Sequence, residues 1–230
     1  MVKKALKAFV ACGLLGGMGL SNPANAEEIY SSDVVGVITI SVMADEPQLV
    51  SVPLMPQGVT DSYFTVSEVM GTNSIPDGTE VKLYDSAARD YVIESFSGGA
   101  WSPDTNHIVN GQGFWLTSPS NHDFICVGLA PNDSRSSSLT VQLVEGLQIV
   151  GYPYPVETST ETNSFAGAVE GDMIIQVDGD GALTNQNDAA SWYGSGTGWQ
   201  PVKTNRIYGA YWYRSYSNRE WVVSKPYTYP

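Results

Sequence analysis

The chain has 230 residues, with 11 basic and 24 acidic side chains, a formal net charge of −13 and an isoelectric point near 4.3. That balance repels nucleic acid and anionic lipid, and it favours solubility and contact with divalent cations. With 42% apolar and 11% aromatic residues, the composition excludes a disordered acidic tail and supports a packed protein of one large or two small domains.

The N-terminus reads as a secretory signal peptide over residues 1–26. Lys3, Lys4 and Lys7 precede an apolar run from Ala8 to Leu20 that is too short to span a bilayer, and the segment ends in Ala24-Asn-Ala26. Lipidation at Cys12 is the rival reading, but Phe-Val-Ala before that Cys is a poor lipobox. Cleavage after Ala26 removes three Lys and no acid, leaving 8 basic against 24 acidic side chains and a net charge of −16. The predicted localisation is extracytoplasmic: secreted, periplasmic or at the cell surface. No membrane insertion follows signal cleavage, since no later stretch is long and apolar enough. Of the two Cys only Cys126 remains, so no internal disulfide can close, and it reads as a buried small hydrophobe.

In chain order, Val34 to Val42 predicts a strand from its β-branched content, and Gln48 to Pro56 a second one ended by prolines. Their counterparts in the second half are Ser138 to Val144 and Leu147 to Pro155, and each pair reads as a hairpin. Val66 to Met70 predicts one helical turn. Gly78 to Asp85 and Gly171 to Asp178 then read as strands ending in a turn-forming Asp. Trp101 and Pro103 recur as Trp199 and Pro201, at an offset of 98. Last come Gly111-Gln-Gly-Phe-Trp115 through Ile125 and an altered copy, Gly209-Ala-Tyr-Trp212 through Val222, the two aligning without a gap at an offset of 97 from Phe114 onward. Each of these is read as two strands joined in a hairpin by a Ser-Asn turn.

The pattern predicts an all-β fold with an internal duplication: two tandem, small β-sandwich-like domains, residues 27–130 and 131–230. Their boundary falls in the polar stretch from Ala130 to Ser137. One continuous sandwich is the alternative.

Leu147-Gln-Ile-Val-Gly-Tyr-Pro-Tyr-Pro155 and Gly111-Gln-Gly-Phe-Trp115 resemble an "NLVGxPYP … PGQGFW" module found, often in tandem, in largely uncharacterised secreted proteins of Gram-negative bacteria. The resemblance spans about Val34 to Pro230 and implies a β fold and an extracytoplasmic life, with no catalytic residues to carry over. Two departures suit motifs kept for folding: Val52-Pro-Leu-Met-Pro56 in the first half and Gly209-Ala-Tyr-Trp212 in the second.

Enzyme chemistry is poorly supplied. The chain has two histidines, His107 and His122, too few with Cys126 for a zinc site, and Arg219 stands opposite His122 in the repeat. The Asp178 to Asp188 stretch resembles a calcium loop, but Ala182 occupies a ligand position and the required Gly is absent. The expectation is therefore no enzyme, no cofactor, no catalytic residue and no metal site.

Aromatic residues crowd the second half. Those with aromatic counterparts, Trp101, Trp115, Trp199, Trp212 and Trp221, are assigned to the core. Trp192, Tyr193 and Tyr216 are the candidate binding residues. The sequence thus predicts a non-catalytic structural or adhesive module whose partner is an envelope protein or polysaccharide, with no nucleic acid. Carbohydrate binding through exposed aromatics of the second half is the alternative.

Overall fold

The computed structural model describes residues 35–56, 63–131, 138–160, 167–177, 189–194, 196–205 and 207–227. The predicted signal peptide, the Asp178 to Asp188 loop and most of the predicted domain boundary lie outside these residues.

In the first half, alternating β-branched residues form β1 (Val35–Val42), which buries Ile38, Ile40 and Val42 and turns the intervening residues outward. There follow β2 (Gln48–Ser51), β3 (Tyr63–Thr65), α1 (Val66–Met70), β4 (Glu80–Asp85), β5 (Asp90–Ser97), β6 (Ala100–Ser102), β7 (His107–Val109), β8 (Gly113–Thr117) and β9 (His122–Leu129). The single helical turn predicted at Val66 is α1. Its start is a capping box: the Thr65 hydroxyl accepts from Glu68 N at 3.3 Å, and the Glu68 carboxylate accepts from Thr65 N at 2.8 Å. The second half comprises β10 (Ser138–Leu143), β11 (Gly146–Gly151), β12 (Thr158–Ser159), β13 (Met173–Ile175), β14 (Ala189–Trp192), β15 (Trp199–Gln200), β16 (Thr204–Asn205), β17 (Ala210–Ser215) and β18 (Arg219–Ser224).

The class is all-β. A five-stranded sheet ordered β2-β8-β4-β5-β6 faces a β1-β9 ribbon in the first half, and β11-β17-β13-β14-β15 faces a β10-β18 ribbon in the second. Small ribbons β3-β7 and β12-β16 sit at matching places. Each half is a two-layer sandwich with its own core. Ile40, Phe114, Leu116 and Phe124 anchor the first, and Trp199, Tyr211, Tyr213 and Trp221 the second.

The predicted hairpins do not form. β1 pairs with β9 and β2 with β8, so both the β1 to β2 connection and the β8 to β9 connection carry the chain from one layer to the other. The physical reason lies in the Ser-Asn turns. Asn121 Oδ1 accepts from Ala44 N at 2.8 Å, and Asn218 Oδ1 accepts from Glu145 N at 2.7 Å. In each half the Asn ties one layer-crossing connection to the other, and the shared motif is a corner clamp.

The two halves meet along a seam with local two-fold character. Ser51 N donates to Tyr208 O and Gly151 N to Gly111 O, both at 2.9 Å, and the bridges Val50 to Gly209 and Gln112 to Val150 are their neighbours. By the repeat offsets, Ser51 corresponds to Gly151 and Gly111 to Tyr208, so each bond has its mate across the seam. This is the self-complementary arrangement of an isologous interface, built within one chain. Glycine sets the closeness of the approach. A Cβ at Gly113 would stand 2.5 Å from Ala210 Cβ, and one at Gly151 would stand 2.2 Å from Ser51 Cβ.

Trp101, Trp199 and Trp221 are core residues as predicted, but Trp115 and Trp212 are not. They lie on the opposite faces of β8 and β17 from the buried Phe114 and Tyr211. There Trp212 packs edge-on to Tyr84 of the other half (4.8 Å between ring centroids), and Trp115 Nε1 donates to Tyr91 Oη at 3.2 Å. Strand alternation sends neighbouring aromatics to opposite faces, so an aromatic pair in sequence cannot fill one core.

Glu94 is fully buried on β5, where the second half has Ala190. One carboxylate oxygen accepts from Asn106 N (2.9 Å) and Asn106 Nδ2 (2.7 Å), and the other has no partner. Glu94→Gln keeps the acceptor and removes a buried charge that lacks a counter-ion. It is expected to raise unfolding stability by about 1 kcal/mol, read from urea denaturation.

Candidate binding surface

In the second half, one buried carboxylate organises the end of the sheet that carries the candidate aromatics. Asp172 is fully buried ahead of β13, at the place where the first half has Thr79, equally buried. Its Oδ2 accepts from Val169 N and from the Tyr213 hydroxyl, both at 2.9 Å, and from Arg219 Nη2. Its Oδ1 accepts from Tyr216 N at 2.9 Å. Arg219 also donates to the Tyr213 hydroxyl at 2.9 Å, with its guanidinium 6.0 Å from the Tyr213 ring centroid. Burial, reinforced by the Asp172 charge, pushes the Tyr213 phenol well above its ordinary range, so it stays protonated and donates to the carboxylate.

Two of the three candidate aromatics are tied to Asp172 through the backbone. Trp192 N donates to the Asp172 carbonyl at 3.1 Å, and Tyr216 N to its side chain. Tyr193 follows Trp192, its N–H held by Gly198 O at 3.0 Å. Tyr216 and Tyr193 are exposed, by 68% and 60%. The Tyr216 ring lies over Gly171, close enough that a Cβ there would touch it at 3.4 Å. Trp192 is half-buried against the second core, 5.5 Å from Trp199 between ring centroids. It stands where the first half has Phe96, as the matching pairs Phe96 with Trp101 and Trp192 with Trp199 make plain. Of the three, the two tyrosines face solvent and the tryptophan is drawn against the core. Such rings offer flat contact area and a hydroxyl at little cost in side-chain entropy.

A second surface was not singled out in the sequence. The outward face of the β1-β9 ribbon carries Val35, Val37, Ile125 and Val127, exposed by 53%, 64%, 62% and 55%. Val37 pairs directly with Val127, and Thr39 with Ile125, so the four form one stripe. The equivalent face of the β10-β18 ribbon presents Thr140, Gln142, Glu220 and Ser224, with Val222 alone among aliphatics. The sandwich thus folds with a polar outer ribbon, and the apolar stripe is an addition peculiar to the first half. The signal was present in Val35-Gly-Val-Ile-Thr-Ile, which is apolar at positions of both parities.

The remaining polar candidates are dispersed. His107 is exposed with its ring against Tyr63, and His122 sits at the corner beside Phe124. Cys126 is buried, and burial pushes its thiol up to about 12, so the neutral, unreactive form prevails at neutral pH. Among the described residues no group of three His, Cys, Asp or Glu is placed to hold a metal ion, and no helix is long and apolar enough to cross a membrane. Comparison with protein-family models, with curated proteins and with solved structures finds no match.

Proposed function

We propose that this protein is a non-catalytic structural or adhesive β module of the bacterial cell envelope or exterior, and that it engages another protein chain through the outer face of the β1-β9 ribbon. The observation that carries the reading is the stripe of Val35, Val37, Ile125 and Val127, which the second half replaces with polar side chains. A contiguous apolar patch on a strongly acidic chain is a recognised mark of a protein contact. The uncharged sequence of β1 also lacks the Lys and Pro that guard edge strands against pairing. The N-terminal segment supports export, and the resemblance to tandem modules of secreted proteins supports the same compartment.

The test is cosedimentation of the protein with isolated Gram-negative envelopes. Wild type is expected to bind saturably, and the Val37→Asp/Ile125→Asp double variant to bind at least about tenfold more weakly. Both positions are exposed, so the variant should keep its fold to within about 0.5 kcal/mol. Equal binding by the two proteins would refute the reading.

Carbohydrate binding is the second reading, favoured by the exposure of Tyr193 and Tyr216 in the second half. It requires saturable quenching of tryptophan fluorescence by a soluble polysaccharide that disappears in Tyr193→Ala or Tyr216→Ala.

A further inference from the structure

β1 belongs to a ribbon of two strands, so one of its backbone edges has no strand beside it. Among the described residues β9 is its one sheet neighbour, and the backbone of Gly36 to Thr39 makes no hydrogen bond beyond that pairing. The unpaired edge looks onto a cleft of about 480 Å³, whose near wall is the consecutive run Gly36, Val37, Ile38 and Thr39. Successive side chains of a strand point to opposite faces, so four residues in a row can line one cleft only along their backbone edge. No residue of β9 lines it, which puts the cleft on the unpaired side.

A row of unpaired N–H and C=O groups is complementary to one kind of guest, another extended backbone. The sequence of β1, Val-Gly-Val-Ile-Thr-Ile-Ser-Val, leaves that row unguarded by charge or Pro. Its surroundings suit a strand as well. On the outer side Val35 and Val37 are exposed, and across the cleft Ile207 and Tyr208 of the second half are half-buried. Glu157, exposed at the rim, is the one charged side chain in the lining, on a chain whose net charge is −13. The equivalent strand β10 presents Thr140 and Gln142 outward, with Gln142 donating to Glu220 at 3.3 Å. The first half alone joins a bare edge to an apolar outer face.

We propose that the free edge of β1 is a strand-addition site, which takes an extended segment of about four residues from another protein, aliphatic or Thr in its middle and basic at its ends. The inference deepens the reading above, on which its choice of a protein partner rests, and names the segment by which that partner is held. Alternate side chains of the guest lie beside Val37 and widen the apolar stripe, while the intervening ones turn toward Ile207 and Tyr208. Basic ends complement Glu157 and the acidic chain, and an acidic segment is repelled by both. A sugar has no regular row of donors and acceptors with which to continue the ladder.

The test is amide hydrogen exchange of the protein with and without acetyl-Lys-Val-Thr-Val-Thr-Lys-amide. Every second amide of Gly36 to Thr39 points away from β9 and is expected to exchange fast in the free protein. Saturating peptide should slow those amides by at least about tenfold and leave the intervening ones unchanged, an alternation that side-chain docking would not produce. The same peptide N-methylated at its four central residues keeps every side chain and charge but no central backbone donor, and should bind at least about tenfold more weakly. Glu157→Lys should weaken the parent peptide by about threefold or more. Ile125→Asp/Val127→Asp, on the outer face of β9 and outside the cleft, should bind the peptide unchanged while losing affinity for envelopes. No new protection in β1, equal binding of the methylated peptide, or an unaltered affinity in Glu157→Lys would each overturn strand addition, whatever the envelopes show. Envelope binding unaffected by Ile125→Asp/Val127→Asp, with β1 protected by the peptide, would overturn the reading of the ribbon face and leave strand addition standing.

Discussion

Asp172→Ala is expected to lower unfolding stability by about 3–5 kcal/mol. The substitution removes the acceptor of four donors: Val169 N, Tyr216 N, the Tyr213 hydroxyl and the Arg219 guanidinium. It also leaves the cation of Arg219, whose side chain is 13% exposed, without its partner. A stranded buried charge costs more than the lost bonds themselves. The repeat supplies the control. Where the second half has Asp172, Tyr213 and Arg219, the first has Thr79, Leu116 and His122, and it packs without any ion pair at that place. The triple variant Asp172→Thr/Tyr213→Leu/Arg219→His is therefore expected to recover most of the loss. Urea unfolding of the single and triple variants decides the matter. A triple variant as unstable as Asp172→Ala would mean that the trio cannot be exchanged as a unit.

Gly151→Leu is expected to cost about 3 kcal/mol by overpacking the seam, since even a Cβ at that position falls 2.2 Å from Ser51. Gly151 carries no positive φ, so the penalty is one of space and not of backbone strain. Because Ser51 is its counterpart and faces it across the local two-fold, exchanging the two is the sharper experiment. Ser51→Gly/Gly151→Ser moves one hydroxymethyl group from one side of the contact to the other and should lie within about 1 kcal/mol of wild type, while Gly151→Ser alone should be clearly destabilising. Equal losses in the single and double variants would contradict a self-complementary seam.

Much of this architecture was legible because its signals are local. Proline after β2 and β11, the Gly-Thr and Gly-Asp entries to β4 and β13, and the alternation of Val35 to Val42 each act within a few residues. Partner choice was not. Two β-rich runs joined by a short turn read as a hairpin, yet Asn121 and Asn218 clamp corners, because the side chain that decides the path bonds a residue 77 or 73 positions away. The same limit applies to the candidate site. Tyr193 and Tyr216 were visible as aromatics without counterparts. Asp172, which holds Tyr216 in place, looked like one strand-entry residue among many, since only the fold brings Arg219 and Tyr213 to it. The apolar stripe of β1 and β9 was hidden in another way. Its two strands are far apart in sequence, and each alone reads as ordinary core.

These features bear on how the halves divide the work. The second half carries polar side chains on its outer ribbon and exposed tyrosines at its sheet end. The first half offers the uncharged β1 edge and the aliphatic stripe. With a net charge of −13 over the whole chain, such neutral patches are the places where another chain can approach without repulsion or the desolvation of a charge.

The most direct measurement is photo-crosslinking in living Gram-negative cells that express the full chain, with a benzophenone side chain placed at Val37 and, separately, at Tyr193. The account predicts a discrete adduct from position 37, outside the cytoplasm, that protease digests and glycosidase leaves intact. Crosslinking from position 193 alone, to material that glycosidase removes, would contradict it and make the aromatic surface the working face of the protein.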